Sequence, residues 1–161
     1  MTKANIGLKD SSLKEVSKLL NQLLADEYVL YTKTRNYHWN VTGPHFHDLH
    51  KFFEAQYEEL DDIMDDIAER VRALGEISGG SLGEFLKLTR LKEQRGQLLA
   101  SGKMLQDLLS NHEALIKTLR KDLDVCASKY QDMGTSDFLT GLMEQHEKMA
   151  WMIRVMNPSR S

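Results

Sequence analysis

The sequence predicts an all-α protein, a four-helix bundle with a short extra helix in the long crossover between the second and third long helices. Three observations predict this fold. Apolar residues recur at intervals of three and four over four long stretches, and glycine and proline number only 10 and 2 in 161 residues. The stretch Ser78-Gly-Gly-Ser81 then opens a connection long enough to run the length of the bundle.

Local signals place the first two long helices. Ser12 followed by Glu15 has the pattern of a capping box, and the apolar stripe after it predicts a helix from about residue 12 to residue 39. Gly43-Pro44 forms a turn in which the proline is suited to open the next helix. This second helix should continue for about thirty residues and end at Gly75.

The second half of the chain contains the other three predicted elements. Apolar residues between Leu82 and Leu88 predict one short amphipathic helix inside the crossover. Ser101 is placed to cap the third long helix, which fades near Met133-Gly134. The fourth long helix is expected from about Ser136 to Met156.

Length and composition indicate one soluble domain, residues 1–161, with short flexible tails at about 1–10 and 157–161. The single cysteine, Cys126, excludes an internal disulfide framework and fits a cytoplasmic protein. No signal peptide or membrane span is predicted. A net charge of −3 argues against general attraction to nucleic acid, because that attraction comes mainly from lysine and arginine.

Two pairs of possible metal ligands lie on the second predicted helix. His50 and Glu54 form one pair, Asp65 and Glu69 the other, and residues four apart on a helix are neighbours. The pairs are fifteen residues apart, or roughly 22 Å at about 1.5 Å per residue, which is too far for one metal site. If a second copy of the helix lies antiparallel across a two-fold axis midway between the pairs, the first pair of one subunit meets the second pair of the other. The spacing therefore predicts a metal site shared between subunits.

His38, near the end of the first helix, is a third part of this hypothesis because the Gly43-Pro44 turn brings it toward His50. Imidazole and carboxylate together suit first-row divalent metals such as iron. Bundles that bind two irons within one chain commonly carry Glu-x-x-His on two helices, and this chain has no such motif. The acidic residues of the second helix could also be only a solvated face.

The remaining histidines have simpler interpretations. His45 and His47 flank the start of the second helix, where they could bind a second metal but are more simply exposed turn residues. His112 and His146 are expected to make surface or interhelix hydrogen bonds.

Three segments carry a family resemblance that extends over nearly the whole chain. They are Tyr37-His-Trp-Asn-Val-Thr-Gly-Pro-His-Phe-His-Asp-Leu-His50, Asp65-Asp-Ile-Ala-Glu-Arg70 and His146-Glu-Lys-Met-Ala-Trp-Met152. In combination they resemble the Dps family of mini-ferritins, DNA-binding proteins from starved cells. The resemblance implies a ferritin-like bundle that assembles into a hollow shell of twelve identical subunits.

The resemblance also implies an activity and its residues. Family members oxidise Fe(II), preferably with hydrogen peroxide, store the ferric product inside the shell and so protect against oxidative stress. The ferroxidase ligands carry over as His38, His50, Asp65 and Glu69. Glu54 stands where the family often has aspartate, and its side chain is one methylene longer but still able to bind iron.

Further residues are implicated in the same way. Trp39 lies where the family has a tryptophan beside the iron centre, although an aromatic residue that closes the end of the bundle would look the same. By resemblance the end of the third helix lines three-fold pores through which iron enters, with Asp124 and Asp132 as the pore acids. A solvated helix end is the alternative for these aspartates.

Two competing functions belong to other classes. The first is a shell that binds and protects DNA in the nucleoid with little ferroxidase activity. In several family members a lysine-rich tail binds DNA, whereas the N-terminus here offers only Lys3, Lys9 and Lys14, and the C-terminus Arg154 and Arg160. The second is a scaffold of the same fold with a degenerate, metal-free site.

Overall fold

The computed structural model describes residues 4–94, 96 and 98–156, and these contain five α-helices and no strand. The helices are α1 Asp10–Asn40, α2 Phe46–Ala73, α3 Leu82–Leu88, α4 Ser101–Ser128 and α5 Met133–Met156. The prediction of four long helices with a short helix in the crossover is confirmed. Lys3, Arg160 and the tail predicted at 157–161 lie outside the described residues.

Two helical hairpins build the bundle. α1 packs chiefly on α2 and α4 on α5, while α3, inside the crossover, packs on α1. The apolar stripes of all four long helices meet in one core, because each helix places its apolar residues on one face. Fully buried members include Leu20, Phe53, Leu108 and Leu139. No described helix is long and apolar enough to cross a membrane.

Several helix starts differ from the prediction. α1 begins at Asp10, its N-cap Lys9 makes no side-chain cap, and Ser12 is instead a buried residue of the first turn. α4 likewise begins at Ser101 itself, after Ala100. The described capping box lies at α3, where Ser81 and Glu84 each bond to the other's backbone N–H.

A buried carboxylate anchors the crossover to α1. Asp26 is 0% exposed and accepts hydrogen bonds from the backbone N–H and the side chain of Arg90, at 2.6 and 2.7 Å. The hydroxyl of Thr89 donates to the same carboxylate at 2.9 Å. Arg90 also lies 3.6 Å from the carboxylate of Asp122 on α4. The crossover is therefore tied to two of the long helices through a single guanidinium.

Candidate metal centre

His38, at the end of α1, and His50, in the second turn of α2, hold each other through two reciprocal hydrogen bonds. Nδ1 of His38 lies 2.8 Å from the carbonyl oxygen of His50, and Nδ1 of His50 lies 2.9 Å from the carbonyl oxygen of His38. A carbonyl oxygen can only accept, so each Nδ1 carries the hydrogen and donates it. In a neutral imidazole the other nitrogen, Nε2, then has a free lone pair. Both rings therefore present the atom that binds metals.

Aromatic packing sets the orientation of both rings. The imidazoles stack on each other with centroids 3.8 Å apart. Phe46 stacks on the outer face of His50 at 5.1 Å, and the ring of Tyr57 meets His38 edge-on at 5.2 Å. His38 is 7% exposed, and His50 is partly buried. These contacts leave little rotational freedom, so the two Nε2 atoms are positioned before any metal arrives.

Glu54 lies one turn after His50 and is held by a lysine. Nζ of Lys51 lies 2.5 Å from its carboxylate. This hydrogen bond lowers the pKa of Glu54, partial burial opposes the shift, and the charge of Lys51 and the two imidazoles lower the pKa further. The carboxylate is thus ionised at neutral pH. Because Lys51 is 61% exposed, it can swing into solvent and release Glu54 as a ligand.

Asp65 and Glu69 are both exposed on α2 and lie one turn apart. Asp65 lines an open acidic cleft of about 350 Å³ between α2 and the crossover, together with Asp61 and Asp62. In the part of the chain that the structure describes, no three His, Cys, Asp or Glu side chains surround a common point. One subunit thus brings His38, His50 and Glu54 to one end of α2 and leaves Asp65 and Glu69 apart from them.

Comparisons with known proteins identify the family. A ferritin-like domain matches residues 17–156. A relative from Bacillus anthracis named DNA protection during starvation protein 2 is 36% identical over 141 residues, which cover 88% of this chain and 95% of that protein. The chain belongs to the Dps family of ferritin-like proteins. Both the ferritin-like fold and the Dps resemblance are therefore confirmed.

Two further comparisons extend this result. A low temperature-induced protein from Nostoc is 49% identical over 154 residues, 96% of this chain and 86% of the relative. The crystal structure of a Dps protein from Vibrio cholerae O1 superposes with a TM-score of 0.89 at 31% identity and 97% coverage of both chains. Its description places that protein in a superfamily of ferritin-like diiron-carboxylate proteins.

Trp39 of this Dps-family chain points away from the bundle and is 64% exposed. The guanidinium of Arg35 lies 5.6 Å from its ring, and it lies 4.9 Å from the ring of Tyr57. Tyr57 in turn contacts His38. Trp39 is therefore connected to the histidine pair through Arg35 and Tyr57, and much of its ring is exposed.

The aspartates at the end of α4 differ in their surroundings. Asp124 is exposed, whereas Asp132 is 4% exposed. The carboxylate of Asp132 caps α5 by accepting the Thr135 N–H at 2.9 Å, and it also faces Arg70 at 3.3 Å. Within one subunit Asp132 therefore has a capping role that spacing did not predict. A pore role for Asp124 or Asp132 concerns the assembled shell and stays a prediction.

A buried polar row was missed by the sequence analysis. His112 and His146 do make the expected interhelix contact, with Nδ1 atoms 3.0 Å apart, but Glu27 joins them and all three are 0% exposed. The sequence does give one indication of this row, because Glu27 interrupts the apolar stripe of α1 between Leu23 and Leu30. Periodicity alone does not say which helices face that glutamate.

Proposed function

We propose that this Dps-family protein is a ferroxidase and iron-storage protein. It oxidises Fe(II), preferably with hydrogen peroxide, at dinuclear sites shared between two-fold-related subunits. It stores the ferric mineral inside a hollow homo-oligomeric shell, a dodecamer, and so protects the cytoplasm against oxidative stress. Iron is the substrate and the stored cargo.

The observation that carries this proposal is the reciprocal bond between His38 and His50. A metal-binding histidine commonly donates its other ring N–H to an oxygen, which fixes the tautomer and the ring orientation. Here both Nδ1–H groups are used in this way, at 2.8 and 2.9 Å. Two oriented imidazole nitrogens beside the carboxylate of Glu54 match the mixed nitrogen and oxygen donors that suit Fe(II).

The rest of the ligand set supports a shared site. Each subunit presents an incomplete group of donors, and its second group, Asp65 and Glu69, is exposed on the same helix. Two copies of α2 that cross antiparallel on a two-fold axis place each first group opposite a second group, and symmetry makes two such sites per interface. Two histidines and three carboxylates then provide enough donors for two iron ions.

The chemistry of such a site is a two-electron reduction of peroxide. Two Fe(II) ions give one electron each, the O–O bond of hydrogen peroxide breaks, and two protons complete two water molecules, leaving two Fe(III) ions. Supplying both electrons together avoids release of hydroxyl radical. The protein side chains hold the two ions at adjacent positions and leave coordination sites open for the oxidant. Asp65, Asp61 and Asp62 add negative charge that attracts Fe(II).

Anaerobic loading followed by peroxide tests the activity. Metal-free protein receives a stoichiometric dose of Fe(II), then hydrogen peroxide, and the ferric absorbance is followed in time. Fast oxidation is expected for the parent and for Asp66→Ala, an exposed neighbouring aspartate that serves as the control. Asp65→Ala should fall toward the protein-free rate. Equal rates in parent, Asp65→Ala and protein-free buffer would reject the ferroxidase function.

Mixed oligomers test the sharing. His50→Ala and Asp65→Ala subunits are each inactive alone, but a hybrid two-fold interface contains one site with all of its ligands. Random mixing makes half of the interfaces hybrid, so about one quarter of the sites are restored. A site built within one chain would recover nothing, because every subunit lacks one ligand.

A further inference from the structure

Three ionisable side chains form a row through the centre of the bundle, and the ferroxidase proposal uses none of them. Glu27 lies on α1, His112 on α4 and His146 on α5, and each is 0% exposed. His146 stands in the middle: its Nδ1 lies 3.0 Å from Nδ1 of His112, and its Nε2 lies 3.0 Å from Oε1 of Glu27. The row therefore connects three of the four long helices.

Part of this row lacks hydrogen-bond partners. Among the described residues, neither carboxylate oxygen of Glu27 accepts a hydrogen bond, and Nε2 of His146 makes none. Burying an ionised carboxylate without a compensating donor or cation costs several kcal/mol, so buried carboxylates are normally paired. The charge of Glu27 must therefore be balanced at its contact with His146, by a proton or by a bound cation.

The contact between Glu27 and His146 has the spacing of two metal ligands. The two atoms are 3.0 Å apart, yet they do not meet the geometry of a hydrogen bond. Two donor atoms that share one ion, each about 2.0–2.2 Å from it, lie about 3 Å apart, with lone pairs that converge on a point between them. A ring nitrogen and a carboxylate oxygen that share an ion lie close together without a hydrogen bond between them, as these two atoms do.

His112 is placed to accept the hydrogen that such a site requires on Nδ1 of His146. A neutral His112 can accept at Nδ1 the hydrogen that His146 donates from its own Nδ1. His146 then carries its free lone pair on Nε2, the atom that faces Glu27. This is the pattern of a metal-binding histidine supported by an outer partner.

We propose that this row is a second metal site, contained within one subunit, for a single divalent transition-metal ion of the Zn(II) or Fe(II) class that takes its remaining ligands from water. Nε2 of His146 and both oxygens of Glu27 bind the ion, and His112 fixes the ring of His146. The donors are one imidazole and one carboxylate, a mixture that these ions accept. A single ion is expected because the chain has no Glu-x-x-His motif. The ion braces α1 against α5 and neutralises Glu27.

Cobalt binding to a protein whose shared site is disabled tests this proposal. The assembled His38→Asn, His50→Asn protein, which keeps no imidazole at the shared site, is stripped of metal, titrated with Co(II) and desalted, and retained cobalt and visible ligand-field bands are measured. One Co(II) per subunit should remain. Glu27→Gln should lose it, His112→Gln should bind about 10- to 100-fold more weakly, and Glu144→Gln, an exposed residue of α5, should not differ from the background.

Two results would overturn the proposal. In the first, folded Glu27→Gln protein retains as much cobalt as the protein in which only the shared site is disabled. The ion would then lie elsewhere. No retention in either means that Glu27 is balanced by a proton rather than a metal. If Glu27→Gln fails to fold, two other measurements decide. One is the cobalt affinity of His112→Gln, and the other is X-ray absorption at the cobalt edge of the protein in which only the shared site is disabled. Only the site at Glu27 and His146 predicts one imidazole with one carboxylate around the ion. Because the shared site is absent throughout, failure of the ferroxidase proposal leaves these outcomes unchanged.

Discussion

His38 and His50 each donate the ring Nδ1–H to the other's carbonyl oxygen, at 2.8 and 2.9 Å, so the two rings and the backbone of two helices form one unit. Each ring has two separable functions. Its Nδ1 joins α1 to α2, and its Nε2 is free to bind iron. A substitution that keeps one function and removes the other can therefore separate folding from catalysis.

Asparagine and alanine at residue 38 make that separation. Asparagine places an N–H near the position of Nδ1 but nothing near Nε2, so His38→Asn should melt close to the parent and lose most iron oxidation. His38→Ala should also lose activity and be destabilised by about 1 kcal/mol or more, because the bond to His50 is gone. Thermal melting and peroxide-driven Fe(II) oxidation are measured on both. An active His38→Asn protein would show that Nε2 of His38 is not a ligand.

Lys51 pairs with Glu54, the proposed iron ligand, so its removal should strengthen metal binding. Exposed ion pairs are weak, so removing this competitor should change Kd by no more than about fivefold. Lys51→Met should therefore bind the first Fe(II) up to about fivefold more tightly in an anaerobic titration. Lys87→Met, at an exposed lysine of α3, is the control. Weaker binding in Lys51→Met would mean that the lysine orients Glu54 for the metal.

A gel mobility-shift assay tests whether this protein binds DNA, as the competing DNA-protecting function requires. Relatives carry the name DNA protection during starvation protein, but the net charge here is −3, and Lys9 and Lys14 stand beside Asp10 and Glu15. We expect no mobility shift of duplex DNA at about 200 mM salt, and any retention at low salt should fall steeply as salt rises. A complex that persists at the higher salt would favour the DNA-protecting function.

Much of the fold was predictable from spacing, because an amphipathic helix shows its buried face as a repeat of three to four residues. Helix ends were harder to predict. Ser12 and Ser101 look like caps, yet α1 and α4 begin at Asp10 and at Ser101 itself. The side chain that caps α5 is Asp132, which the sequence analysis placed in a pore. Several polar residues near a helix end can serve as its cap, and tertiary contacts choose among them.

The candidate site was predictable only in part. The Gly43-Pro44 turn correctly brings His38 to His50, since a short connection forces neighbouring helices to lie antiparallel. Which ring nitrogen faces outward depends on carbonyl positions that spacing does not specify. Glu27 escaped attention because its partners come from α4 and α5, more than eighty residues away in the sequence. Joining Asp65 to the histidines requires a second subunit, so that part of the site stays a prediction.

Arg90 is expected to be the most important residue of the crossover for stability. Its loss leaves Asp26, which is 0% exposed, without its charged partner, and breaking a buried pair in this way typically costs about 3–5 kcal/mol. Since Arg90 itself is 32% exposed, water can reach the site and the lower end is expected. Arg90→Ala should lower the melting temperature strongly, Arg90→Lys less. Hydrogen exchange should show opening confined first to the crossover. An unchanged melting temperature in Arg90→Ala would refute the anchoring role of this pair.

Asp122 lies beside the same guanidinium, but removing its charge should stabilise the fold, whereas removing Arg90 should destabilise it. Burial raises the pKa of its carboxyl, Arg90 opposes the shift, and Asp26 adds to it. The folded state therefore holds this proton more tightly than the unfolded state, so stability falls as pH rises from the ordinary aspartate pKa, 3.8, through the raised value. Asp122→Asn stays neutral and should melt higher than the parent at pH 7, with the difference shrinking as the pH is lowered through that window. Melting curves across this pH range check which protein melts higher and over which pH range the difference changes. An Asp122→Asn protein less stable than the parent at pH 7 would mean that the attraction of Asp122 to Arg90 outweighs the cost of its burial.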